Sequence, residues 1–101
     1  MSQTKAQLID AAATFTISSD ASFNEVVVGK GPNSVTGNTV VGKNALVGNV
    51  SGVDNTAIGA NSLSALTSGT DNTGVGKDSL STLTTGSHNT ALGTESMDVL
   101  S

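Results

Sequence analysis

One five-residue phrase recurs four times at an unvarying interval. Asn38-Thr39-Val40-Val41-Gly42, Asn55-Thr56-Ala57-Ile58-Gly59, Asn72-Thr73-Gly74-Val75-Gly76 and Asn89-Thr90-Ala91-Leu92-Gly93 each begin 17 residues after the previous one. A strict short period means one structural unit laid against copies of itself, and it excludes most globular enzyme folds. Aligning the copies shows what each position is for. Asn holds the first column (Asn38, Asn55, Asn72, Asn89) and Thr the second (Thr39, Thr56, Thr73, Thr90). A small or medium residue comes next, then a sizeable apolar one (Val41, Ile58, Val75, Leu92), then Gly. Four residues further on stands Leu46, Leu63, Leu80 or Met97, and three beyond that Leu66, Leu83 or Leu100, with Asn49 interrupting the column in the first copy. A second glycine closes the unit at Gly52, Gly69 and Gly86.

Physically this reads as a strand, a turn, a second short element and another turn. Gly42 and its equivalents fall where the backbone needs positive φ, and the second glycine lies in Ser/Thr-rich turns such as Thr84-Thr85-Gly86-Ser87. Stacked copies place Asn over Asn and Thr over Thr, as ladders whose amides and hydroxyls bond along the stack. The second element has leucines three apart, which also suits one helical turn. Its Ser and Thr content favours a strand or irregular structure. The expected fold is all-β: a β-solenoid or β-roll-like stack with a 17-residue period.

Three segments are expected. Residues 1–24 form a non-repetitive N-terminal arm, in which Lys5 to Ala13 suits a short helix or an extended run and Thr14-Phe15-Thr16-Ile17-Ser18 alternates like a strand. Phe15 and Phe23, the only aromatic residues, are expected to cover the end of the stack. Residues 25–37 are an irregular junction. There Val27-Val28-Gly29-Lys30 looks like a degenerate first copy of Val40-Val41-Gly42-Lys43, offset by 13 residues, and Pro32 marks a turn. Residues 38–101 are the regular stack.

Composition bears on assembly. Of 101 residues only 12% are charged, none is Cys, Trp or Tyr, and Gly, Ser, Thr, Asn and Ala prevail. So few large apolar side chains make a poor core for one chain, so partner copies are expected to complete the burial. The Val41/Ile58/Val75/Leu92 and Leu46/Leu63/Leu80/Met97 columns are the expected stack and inter-chain core. A net charge of −4 and four lysines offer no basic patch, which argues against nucleic-acid binding. No segment has the apolar length to insert in a bilayer, and the first ten residues lack an apolar signal core.

Candidate chemistry is sparse. His88 shares a column with Asp54 and Asp71, and such a column could ligate a metal, although a solvent-facing turn is the simpler reading. Ser62, Ser79 and Ser96 recur without the histidines that triads would need. Asp78, Glu95 and Asp98 read as carboxylates at unrelated slots, a poor basis for glycoside cleavage. Gly74-Val75-Gly76-Lys77-Asp78-Ser79 misses the spacing of a phosphate loop. No enzyme activity and no cofactor are expected.

The phrases Gly52–Leu63 and Thr84–Gly93 resemble repeats of bacteriophage tail fibres and other virion appendages and, more loosely, the heads of trimeric autotransporter adhesins. The similarity spans residues 38–101, with a weaker likeness in the opening Ser2–Asp10. It implies a homotrimeric, elongated structural protein of the virion, assembled in the host cytoplasm. The arm would hold other virion proteins, and the projecting stack would aid attachment to a host surface receptor. A bacterial surface adhesin head is the alternative. An ice-binding solenoid is the second, on the strength of the Thr column alone.

Overall fold

The computed structural model describes residues 18–97. The proposed strand at Thr14–Ile17, the helix or extended run before it, Phe15 and Leu100 lie outside the described residues. What is described is all-β: six short strands in one sheet, in chain order, with a single 3-10 turn at Pro32–Ser34.

Strands β1 (Ala21–Phe23) and β2 (Val26–Gly29) form an antiparallel hairpin. Its two-residue loop, Asn24 and Glu25, has φ of 50° and 71°, the left-handed pair that a twist-matched hairpin turn demands. β2 then pairs antiparallel with β3 (Thr39–Val41), Val28 facing Val41. The likeness of Val27-Val28-Gly29-Lys30 to a repeat therefore stops at composition, because its strand runs the opposite way. β3, β4 (Thr56–Ile58), β5 (Thr73–Val75) and β6 (Thr90–Leu92) are parallel. Thr39 faces Thr56, Thr73 and Thr90 in turn, each phrase laid in register on the last.

Strand alternation decides which residues enter the core. In each three-residue strand the middle position points inward: Val40, Ala57, Gly74 and Ala91 are buried. The connecting turns supply the rest, with Leu46, Leu63, Leu66 and Leu80 fully buried and Leu83 nearly so. The second element of each unit is thus neither helix nor strand but a turn. Its leucines are held at φ of 54°, 53° and 53° (Leu46, Leu63, Leu80), a region that costs a residue with a Cβ about 1–2 kcal/mol. The return comes from burial of the whole side chain, about 1.5–3 kcal/mol.

The core is also polar. Asn55 and Asn72 are completely buried, and Asn38 is 5% exposed. Asn38 Oδ1 accepts the Asn55 N–H at 2.8 Å, Asn55 Oδ1 accepts the N–H and Nδ2–H of Asn72, and Asn72 Oδ1 accepts those of Asn89. Each Nδ2 of the first three also donates to the closing glycine carbonyl of its own turn, Gly52, Gly69 or Gly86. Asn49, standing where later units have leucine, bonds both the N–H and the C=O of Gly52. Ser62 and Ser79, fully buried, donate to the carbonyls of Gly74 and Ala91. No buried side-chain polar atom among the described residues lacks a partner.

The closing glycines are required by the neighbouring unit. A Cβ on Gly69 would lie 2.0 Å from the Gly86 carbonyl oxygen, and one on Gly52 would lie 2.2 Å from that of Gly69. Those oxygens are backbone and cannot swing aside. Gly69→Ala should therefore cost about 3 kcal/mol, the upper end for overpacking, measurable as a lowered urea midpoint with an unchanged m-value.

Candidate functional site

The outer face of the sheet carries exposed apolar side chains at Phe23, Val26, Val28, Ile58 and Leu92, and Val47, Val50 and Met97 are exposed in the turns. Two residues of each parallel strand point outward, the Thr and the larger aliphatic residue, because the residue between them points in. The register joins these aliphatic residues into one row: Ala21 faces Val28, Val28 faces Val41, and Val41, Ile58, Val75 and Leu92 follow across the strands. At about 4.8 Å per strand this row is about 24 Å long. Ile58 is 36% exposed and Leu92 78%. Phe23 and Val26, opposite one another in the hairpin, extend the apolar surface on the same face, with Phe23 61% exposed. Beside the row runs the Thr column.

This divides the expected core in two. Leu46, Leu63 and Leu80 lie inside one chain, together with Leu66 and Leu83. Val41, Ile58, Val75 and Leu92 lie outside it, and Met97 is 41% exposed. A single chain encloses its own core more completely than its aliphatic content suggests, because hydrogen-bonded Asn and Ser fill volume that an apolar count leaves out. The inward strand position must also be small: a Cβ on Gly74 would meet Ser62 Oγ at 2.8 Å. The Thr column is aligned by main-chain bonds, Thr39, Thr56 and Thr73 each donating N–H to the following unit's Asn carbonyl at 2.8 Å, and its side chains belong to the outer face. Phe23 stands in the hairpin beyond β3, 61% exposed on the outer face.

Sequence reasoning missed Ala21 and Val28 as members of the row, since they lie outside the repeats. The signal that could have found Val28 is the three-valine run Val26-Val27-Val28, too short for a helix, in which a strand must turn the middle residue, Val27, to the opposite face from Val26 and Val28.

The other candidates sit in ordinary turns. Asp54, Asp71 and His88 occupy one left-handed turn position (φ 58°, 58° and 64°), which Gly37 fills at φ 82° before the first phrase pair. His88 Nε2 lies 3.4 Å from Asp71 Oδ2 at the surface. Among the described residues no three His, Asp or Glu side chains converge as a metal site. Asp78 and Glu95 prove to be equivalent positions of successive units, both left-handed, rather than unrelated slots. Hydrogen bonds from Lys77 and then from Asn61 hold the Asp78 carboxyl below the usual carboxylate range. That direction is opposite to the raised pKa of a general acid for glycoside cleavage. Asp98 lies outside the described residues. Gly74–Ser79 spans the end of β5 and a turn and encloses no phosphate-sized cradle of N–H groups: Gly76, Asp78 and Ser79 N–H all donate to carbonyls within the sheet and turns.

No helix among the described residues is long and apolar enough to cross a membrane. No known family model, curated protein or solved structure matches the chain.

Proposed function

We propose that this chain is a non-enzymatic structural protein, a β-solenoid of 17-residue units that associates as a homotrimer and forms part of an elongated bacteriophage fibre or spike. The observation that carries the reading is the unbroken outer row Val28, Val41, Ile58, Val75, Leu92. A chain whose core is already closed has no internal use for a continuous outward aliphatic row in which Val28, Ile58 and Leu92 are exposed and Val41 and Val75 half-buried. Such stripes mark association surfaces, and a threefold axis along the stripe lets three copies bury it at once. The virion assignment rests on the likeness of the Asn-Thr-Ala-Ile-Gly phrases to appendage repeats. In that setting the N-terminal region holds other virion proteins and the stack projects towards the host surface.

Light scattering of the purified chain should give three times its 9.9 kDa mass. Ile58→Asp should give a folded monomer with an unchanged far-ultraviolet dichroism spectrum, since it places three unpaired carboxylates in one apolar interface. A parent chain that is monomeric at all concentrations refutes the trimer. Antibodies against the stack should decorate an appendage of the phage particle; decoration of a bacterial surface instead selects the adhesin. The Thr column beside the row keeps a third reading open to test: on the trimeric reading the protein produces no thermal hysteresis of ice growth.

A further inference from the structure

The regular units hold one another through fixed donors and acceptors. Gly59 N–H donates to Val41 C=O at 2.7 Å, and Asp71 N–H to Val53 C=O at 3.2 Å. On the other side of the first unit the equivalent donors find substitutes in the chain before the repeats. Gly42 N–H donates to Val27 C=O at 2.9 Å, and Asp54 N–H to Thr36 C=O at 3.5 Å. Residues 27–36 thus fill the place of a preceding unit, although β2 runs antiparallel to β3. They also cover the core on that side. Val27 packs against it. A Cβ on Gly31 would stand 3.1 Å from Val40 Cγ2 and 3.6 Å from Leu46 Cδ2. Asn33 Nδ2 donates to Asn49 C=O at 3.0 Å.

One side chain fixes this cover. The Asp20 carboxylate, just before β1, accepts the N–H of Lys30 at 2.8 Å and that of Gly31 at 3.0 and 3.3 Å. It ties the start of the hairpin to the point where the chain leaves β2 and passes beneath the first unit. Gly29 is matched to it: a Cβ at 29 would lie 2.0 Å from Asp20 Oδ1 and 2.9 Å from Asp20 Cα. Gly29 is not at positive φ, whereas Gly42, in the phrase that Val27-Val28-Gly29-Lys30 resembles, has φ of 141°. The same letters therefore serve different ends, and at 29 the glycine makes room for a carboxylate. Hydrogen bonds to an ionised acceptor are among the stronger ones. The strand contact that they support is short, two residue pairs, Val28 with Val41 and Gly29 with Val40.

We propose that residues 20–36 are a latched stop. Held by Asp20, they occupy the edge of β3 that faces away from β4, with a strand of reversed direction and no Asn column. They thereby bar a second polypeptide carrying the Asn-Thr-small-apolar-Gly phrase from adding there as a parallel strand. The need arises from the repeats themselves. Parallel addition in register is what every internal pair of units already does, so each phrase is a ready partner for the edge of another. Short, charged or reversed edge elements are a means by which sheets refuse such additions. The stop goes beyond association through the outer row and does not depend on it.

The test uses the full chain, isotope-labelled, as parent and as Asp20→Ala, with a synthetic peptide of the sequence of residues 69–80 as the probe. In Asp20→Ala the Gly42 N–H should exchange about tenfold or more faster, as expected for loss of charge-assisted bonds, while the Gly76 N–H keeps the parent rate. The peptide should then shift the Val40 and Gly42 amides saturably in the variant and leave both in place in the parent. Asp20→Asn keeps one acceptor oxygen, and it should show the same pattern at smaller size if the alanine protein does not fold. Unchanged exchange at Gly42 overturns the latch. Equal acceleration at Gly42 and Gly76 overturns it too, since residues 20–36 would then open only with the whole stack. Peptide shifts at Val40 and Gly42 in the parent, or none in a variant whose Gly42 N–H has been freed, overturn the stop.

Discussion

Asn72→Ala is expected to unfold the described stack or bring it to the edge of unfolding. The side chain is completely buried and makes four hydrogen bonds: Oδ1 accepts from the N–H and Nδ2 of Asn89, and Nδ2 donates to Asn55 Oδ1 and Gly86 C=O. Truncation leaves the part-buried Gly86 carbonyl and Asn89 N–H without these partners. Each orphaned group costs about 1–3 kcal/mol, so the sum is about 4 kcal/mol, against a total stability of about 5–15 kcal/mol for a small domain. Urea unfolding followed by dichroism measures it. Asn89→Ala is the informative comparison. It removes only the last rung, and its cost should be about half as large. Equal stabilities for Asn72→Ala and the parent would mean that the ladder is ornamental.

Leu63→Ala should cost about 2–5 kcal/mol. Leu63 is fully buried in the middle of the core, with units on both sides that cannot collapse into the space because the Asn ladder fixes their separation. Alanine also inherits the left-handed backbone at φ 53° without the burial that offsets it. Leu92→Ala, of identical chemistry on the outer face, should leave the unfolding of an isolated chain within about 0.5 kcal/mol of the parent. Comparable costs for the two would mean that the inner and outer assignments are mistaken.

The contrast between these two leucines also shows where the sequence was legible. The Asn column was readable because a 17-residue recurrence of an amide beside a strand phrase has few physical uses. The sidedness of the strand was not. Both Val40 and Val41 are apolar, and the bulkier column, Val41 to Leu92, looks like the better core. What decides is the space beneath the sheet, taken by Ser62, Leu63 and their equivalents, which leaves room inside for Ala57, Gly74 and Ala91 but not for Ile58. That constraint acts between residues distant in sequence and different in kind. The turn leucines were legible as apolar and periodic, but no local preference places leucine at positive φ. Only the closed core explains it. The antiparallel course of β2 was hidden for a related reason: four residues of similar composition carry no direction.

The left-handed leucines have a kinetic consequence. A unit such as Asn55–Asp71 holds three residues with a Cβ at positive φ, Asn61, Leu63 and Asp71, so a single unit folding by itself is uphill in backbone conformation by about 1–2 kcal/mol at Leu63 and by less at Asn61 and Asp71, whose short polar side chains tolerate that region. Only a neighbour on each side recovers that energy. Ordering must therefore begin with a rare nucleus of adjacent units and spread outward by accretion, and the terminal unit, with one neighbour, opens first.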